Sequence, residues 1–189
     1  MEICLVRHGE TDWNKEGRLQ GHTDIPLNQV GIQQANCCAE FLKQLPYELV
    51  LTSPLLRAKQ TAEVIAKQLN VPLIEMRELI ERHYGDAEGL TKEERTIKFP
   101  EGNYTNQESR ESLTTRVFQA LSLIHEQKKA KKIIVVAHGA VINAILAALT
   151  NNAIGSGRTI LKNACISYLQ FNHEKWIVGE YNQVNHLKA

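Results

Sequence analysis

The chain has 189 residues, 43% hydrophobic and 23% charged, the balance of a soluble globular protein long enough for one sizeable core. A formal net charge of +1 provides no broad basic field for nucleic acid or an anionic membrane, so any bound anion must be held by locally placed cations. No apolar run approaches the ~18 residues of a membrane span, and the first strand signal begins at Ile3 with no room for a signal peptide, so a cytoplasmic location is expected.

Strand and helix signals then alternate. Ile3-Cys4-Leu5-Val6 reads as a buried strand ending at Arg7-His8-Gly9, with a helix or turn opening at Glu10-Thr11-Asp12. Asn28 can cap a helix with the apolar stripe Ile32, Ala35, Ala39 and Leu42. Glu48 to Thr52 reads as a second strand. Ser53-Pro54 reads as a helix start, Ser at N-cap and Pro at N1, for a helix burying Ala58, Ala62, Ile65 and Leu69. Val71 to Ile74 is a short third strand. Residues 83–107 are polar and carry Gly85, Gly89, Pro100 and Gly102, the pattern of an irregular lid over a site. Leu113, Val117, Leu121 and Ile124 mark another helix, and Lys128, Lys129, Lys131 and Lys132 read as its solvated, dipole-favoured carboxyl end. Ile133 to Ala137 repeats the first motif, running into His138-Gly139 and a helix with Ile142, Ile145, Leu146 and Leu149 inward. Ala164–Phe171 and Trp176–Tyr181 form the last strands, turning near Asn172-His173-Glu174. The four cysteines, Cys4, Cys37, Cys38 and Cys165, lack metal-ligand or secreted-disulfide spacing and read as small apolar residues. The sum is one domain over residues 1–189: a three-layer α/β/α sandwich on a mostly parallel sheet, with a short lid insertion at about 83–107.

Open α/β sheets bind ligands at the carboxyl ends of their strands. There the first strand delivers Arg7 and His8, the fourth His138, and the helix after the second strand Arg57 in its first turn. Gly139 opens a further helix whose free N–H groups face the same rim. Two arginines, two histidines and a helix N-terminus describe a pocket for a doubly charged tetrahedral anion, since guanidinium forks match phosphate oxygens. A metal site is the rival reading, and it fails electrostatically because two guanidiniums would repel a dication. No metal or other cofactor is expected.

These residues also carry a resemblance. Leu5-Val6-Arg7-His8-Gly9-Glu10-Thr11 with Trp13-Asn14 resembles the signature of the histidine phosphatase superfamily, the phosphoglycerate-mutase-like proteins. Gln20 to Leu27, Thr52-Ser53-Pro54 with Arg57-Ala58 and Gln60-Thr61-Ala62, Glu81-Arg82-His83-Tyr84-Gly85, and Ala137-His138-Gly139 follow in the family's order, so the resemblance runs from residue 3 to about 180. It implies that His8 is the nucleophile and forms a phosphohistidine, its other ring nitrogen donating to a backbone carbonyl. Arg7, Arg57, Asn14 and a protonated His138 would hold the phosphoryl oxygens, with Gln20, Gly21 and Gly139 lining the same pocket. Glu81 would protonate the leaving oxygen and later activate water.

The implied activity is hydrolysis of a small-molecule phosphomonoester, closest to short bacterial broad-specificity phosphatases of the Bacillus type. The alternatives are a cofactor-dependent phosphoglycerate mutase, an α-ribazole or sugar-bisphosphate phosphatase, and a non-enzymatic phosphate-binding module. The Glu81 block looks mutase-like: in mutases the residues at Arg82, Tyr84 and Lys92 hold a second charged group. Against that, the segment after Tyr84 is short and lacks an Arg-Arg pair, and Ala140-Val141 replaces the mutases' Asn-Ser. A short lid leaves a phosphohistidine open to water, which favours hydrolysis. Neither a physiological substrate nor an oligomeric state is legible at this level.

Overall fold

A computed structural model describes residues 1–126 and 130–187. Six strands form one sheet: β1 (Glu2–Arg7), β2 (Leu49–Thr52), β3 (Leu73–Glu75), β4 (Lys132–Ala137), β5 (Ile166–Asn172) and β6 (Lys175–Val178), in the spatial order β3-β2-β4-β1-β5-β6. The β3, β2, β4 and β1 pairings are parallel, and β5 and β6 join antiparallel at one edge. The β5–β6 turn falls at His173 and Glu174, both with positive φ as a tight hairpin turn requires.

The helices are α1 (Asp12–Lys15), α2 (Gln29–Leu42), α3 (Leu56–Leu69), α4 (Lys92–Lys98), α5 (Arg110–Glu126) and α6 (Gly139–Leu149). Period-2 alternation in the central strands assigns the two faces. Ile3, Leu5, Ile133 and Val135 pack with α5 and α6, whereas Cys4, Val6, Ile134 and Val136 pack with α2 and α3. This is the expected three-layer sandwich. None of these eight side chains is more than 1% exposed, and each buried aliphatic chain contributes ~1.5–3 kcal/mol.

Several local expectations need correction. Ile32 is 40% exposed; the buried stripe of α2 starts instead at Gly31 and continues through Ala35, Cys38, Ala39 and Leu42. Gly31 owns that position because a Cβ there would lie 2.1 Å from the Glu10 carbonyl oxygen, so only a glycine lets α2 seat on the loop after His8. Ser53 does not cap α3: the N-cap is Leu55, and the Ser53 hydroxyl is engaged by His138. The segment 83–107 is not wholly irregular, since Thr91 and Glu94 form a capping box that starts α4. Lys132 opens β4 rather than closing a helix, and Lys128 and Lys129 lie outside the described residues. Cys4, Cys38 and Cys165 are buried and Cys37 half-buried, all as free thiols. Among the described residues no helix is long and apolar enough to cross a membrane.

Candidate active site

β1 and β4 run side by side, Arg7 paired with Ala137, so the next residues, His8 and His138, leave the sheet together. Their ring centroids are 5.2 Å apart, and the side chains are 2% and 0% exposed. The Nδ1 of His8 donates to the Gly9 carbonyl at 2.7 Å, which leaves the Nε2 lone pair free, as the sequence reading expected. Nε2 of His138 pairs with the Ser53 hydroxyl at 2.7 Å. Burial holds both rings well below the ordinary histidine pKa, with Arg57 and Arg7 adding to the effect. His8 is therefore a neutral imidazole at neutral pH. His138 is neutral too, which differs from the protonated ring that the resemblance implies for a phosphate-bound site.

Arg57, in the first turn of α3, is almost fully buried. Its two terminal nitrogens donate to the carbonyls of Gly21 and Thr23 at 2.7 and 3.1 Å. Arg7 reaches across to the Leu161 carbonyl. The Nε atoms of Arg7 and Arg57 and Nδ1 of His138 are buried with no hydrogen-bond partner among the described residues. Three unpaired nitrogens, two of them cationic donors, at one strand rim mark a place prepared for negative charge. The Asn14 amide is oriented by a capping box: its oxygen accepts from Thr11 and from Asn163 Nδ2 at 3.0 Å, so its NH2 group is left free. Gln20 is likewise set by Thr11, whose hydroxyl donates to the Gln20 oxygen at 2.9 Å.

Glu81 is 8% exposed and lines the same cavity. Its oxygens accept from the Arg82 and Ala140 N–H groups at 2.9 and 3.2 Å, which ties it to the first turn of α6 beside Gly139. The cavity has a volume of ≈ 680 Å³, and the structure brings Arg7, His8, Asn14, Gln20, Gly21, Arg57, Glu81, Arg82, Tyr84 and Gly139 to its wall. His138 is fully buried and does not reach the wall; its ring packs 5.2 Å from that of His8. Lys92 is not brought in: it is exposed on the first turn of α4, and the helical phase turns Arg95 inward in its place. Arg82 stacks over the Tyr84 ring at 5.3 Å and donates to the Glu108 carbonyl and to Gln107. Burial raises the Tyr84 phenol, so it serves as a neutral hydroxyl.

Sequence reasoning missed Arg18, Arg95, Arg110 and Asn143 in the wall, as well as Ser156, Gly157 and Thr159 to Leu161, whose loop supplies the carbonyl that holds Arg7. Arg95 had a signal in the Thr91–Glu94 capping box; the carbonyl contact of the loop leaves none. In total six arginines line the cavity against one carboxylate, Glu81. Among the described residues no group of three or more His, Cys, Asp or Glu side chains is arranged to hold a metal ion.

The family model described as histidine phosphatase superfamily (branch 1) matches residues 3–184. An uncharacterized phosphatase PhoE of Bacillus subtilis (strain 168) is 45% identical over 187 residues, covering 99% of this chain and 97% of that protein. A metal-independent phosphoserine phosphatase of Arabidopsis thaliana is 39% identical over 202 residues, covering all of this chain and 84% of that one. The structure of Bacillus stearothermophilus YhfR superposes with a TM-score of 0.91 at 25% identity, covering 99% of each chain.

Proposed function

We propose, for a chain that belongs to the histidine phosphatase superfamily, hydrolysis of small phosphomonoesters through a phosphohistidine at His8, with no metal in the chemistry. The observation that carries this reading is the state of His8. Its Nδ1–H is fixed on the Gly9 carbonyl, its ring is kept neutral, and it is flanked by two arginines. A nucleophile needs that free lone pair, and an incoming phosphoryl group needs those cations.

In the first step His8 Nε2 attacks phosphorus, the ester P–O bond breaks, and the leaving oxygen takes the proton of Glu81. In the second, Glu81 takes a proton from water, the oxygen attacks phosphorus, the N–P bond breaks and orthophosphate departs. Arg7, Arg57, His138, Asn14 and Gln20, with the N–H groups of Gly21 and Gly139, hold the equatorial oxygens. A bound dianion reverses the field at His138, so that ring gains its proton together with the substrate.

The leaving group enters the outer cavity between Arg82, Tyr84, Arg95 and Arg110. Arg110 opens α5 and, with Arg82 and Arg95, sets three cations around a cavity whose wall holds Glu81 as its one carboxylate. We therefore assign the preferred leaving groups a second anionic group, as in phosphorylated hydroxy or amino acids. Hydrolysis is favoured over transfer because the covering segment is short and lacks an Arg-Arg clamp. Rapid quench with labelled substrate should trap an acid-labile phosphoprotein in the presence of EDTA, and His8→Ala should abolish it. Label that survives in His8→Ala and disappears in His138→Ala, or activity that chelation destroys and Zn²⁺ restores, contradicts the reading.

A further inference from the structure

Glu88 follows the short turn Gly85–Ala87 and is not part of the cavity wall. Its carboxylate is 12% exposed and gathers donors from two segments some sixty residues apart. One oxygen accepts the N–H groups of His22 and Tyr84, both at 3.0 Å. The other accepts the N–H and hydroxyl of Thr23, at 2.9 and 2.7 Å. Burial alone would raise its pKa, but these hydrogen bonds outweigh burial and lower it, so Glu88 is anionic at neutral pH.

The two segments serve opposite ends of the site. Residues 20–23 carry Gln20 and Gly21, and the Gly21 and Thr23 carbonyls hold both terminal nitrogens of Arg57. Residues 81–84 carry Glu81 and Tyr84. The segments also meet directly, His22 Nε2 donating to the Glu81 carbonyl at 2.7 Å. Gly21 lies so close to the clasp that a Cβ there would stand 2.0 Å from a Glu88 oxygen.

We infer that Glu88 is a positioning residue that sets the phosphate-holding Arg57 and the proton-donating Glu81 in mutual register. The inference rests on the phosphatase reading for its kinetic consequences and on the clasp geometry for its binding consequences. A charged acceptor is required because four donors converge on it. A glutamine of the same shape would turn an NH2 group toward N–H donors and leave part of the clasp unmade. Misplacement of this kind by a fraction of an ångström carries a large rate penalty without unfolding anything.

The test compares Glu88→Gln and Glu88→Ala with the unaltered chain. Inorganic phosphate affinity by calorimetry reports the Arg57 end and needs no turnover. It should fall at least about fivefold in Glu88→Gln, with the thermal midpoint little changed. Turnover of glycerol 3-phosphate reports both ends, and p-nitrophenyl phosphate reports mainly the Arg57 end, because its leaving group departs without a proton. Glu88→Ala should therefore cut kcat more for the alkyl than for the aryl ester. In a Glu81→Gln background that extra alkyl loss should vanish. Should the unaltered chain hydrolyse neither ester while Glu88→Gln still weakens phosphate binding, the phosphatase reading fails and the clasp stands. Phosphate affinity unchanged in both variants, or equal alkyl and aryl losses that simply add to Glu81→Gln, overturns the inference.

Discussion

Two fully buried neutral histidines tie stability to pH in a calculable way. The folded pKa values of His8 and His138 lie well below the unfolded value, held there first by burial and then by Arg57 and Arg7. As pH falls through ~6.5 the unfolded chain takes up protons that the native chain refuses, so stability is lost toward acid and recovered toward base. Between pH 7 and pH 6 each histidine contributes about 0.7 kcal/mol of lost stability, about 1.4 kcal/mol for the pair. The slope steepens toward ~1.4 kcal/mol per pH unit per histidine until the folded values are reached. Urea midpoints at pH 7 and pH 6, in buffer free of phosphate, measure this against a His8→Asn/His138→Asn double variant. His186, half-buried and also lowered by burial, leaves a residual slope common to both proteins. Saturating orthovanadate should flatten the slope of the unaltered chain, since a bound anion lets His138 accept its proton. Identical pH slopes for the two proteins would refute the account of these histidines as neutral and buried.

Four further outcomes are expected. Glu81→Gln should slow alkyl phosphates by ~10²–10⁴, the range for a lost general acid, and p-nitrophenyl phosphate by less than about tenfold; equal losses would make Glu81 a positioning group. Arg95→Met/Arg110→Met should lower the kcat/KM preference for 3-phosphoglycerate over glycerol 3-phosphate by about tenfold, roughly 1.4 kcal/mol, and an unchanged ratio would show that leaving-group charge is read elsewhere. Gly21→Ala, at φ 55° and against Glu88, should lower stability by about 1–2 kcal/mol and weaken phosphate binding; an unshifted thermal midpoint would mean the loop relaxes freely. With 3-phosphoglycerate and a bisphosphoglycerate primer, phosphate release should exceed 2-phosphoglycerate formation by about tenfold, and the reverse ranking would favour a mutase.

The sheet and the paired histidines were legible because each depends on a short local pattern: an apolar run with strand length, then a polar residue and a glycine. The corrections have the opposite character. Ser53 looks like a cap, but α3 starts only at Leu56, and the Ser53 hydroxyl accepts the Leu55 N–H and pairs with His138, 85 residues away. Ile32 looks buried until the Gly31 contact with Glu10 sets the rotation of α2. Lys92 and Arg95 differ by less than one turn, and only the start of α4 decides which one faces the cavity. Leu161 acts through its backbone carbonyl, which every residue possesses, and the Glu88 carboxylate gathers backbone N–H groups from residues about sixty positions away, which no sequence advertises.

The arginines tie the site's chemistry to its cost. The charges of Arg57 and Arg7, added to burial, keep His8 deprotonated, as the proposed nucleophilic role requires. A separate base for that nitrogen is unnecessary. The arrangement stores unfavourable energy in the protein itself: buried cations next to one another, and unpaired buried nitrogens on Arg7, Arg57 and His138. It is tolerable because backbone carbonyls of Gly21, Thr23 and Leu161 partly satisfy the guanidiniums without neutralising them. Carboxylates in those places would stabilise the fold and cancel the positive field at the rim. Glu81, the one carboxylate in the cavity wall, is anchored on the N–H groups of Arg82 and Ala140. Those contacts fix a carboxyl group at the rim through backbone N–H groups and leave the guanidinium charges available to a bound anion.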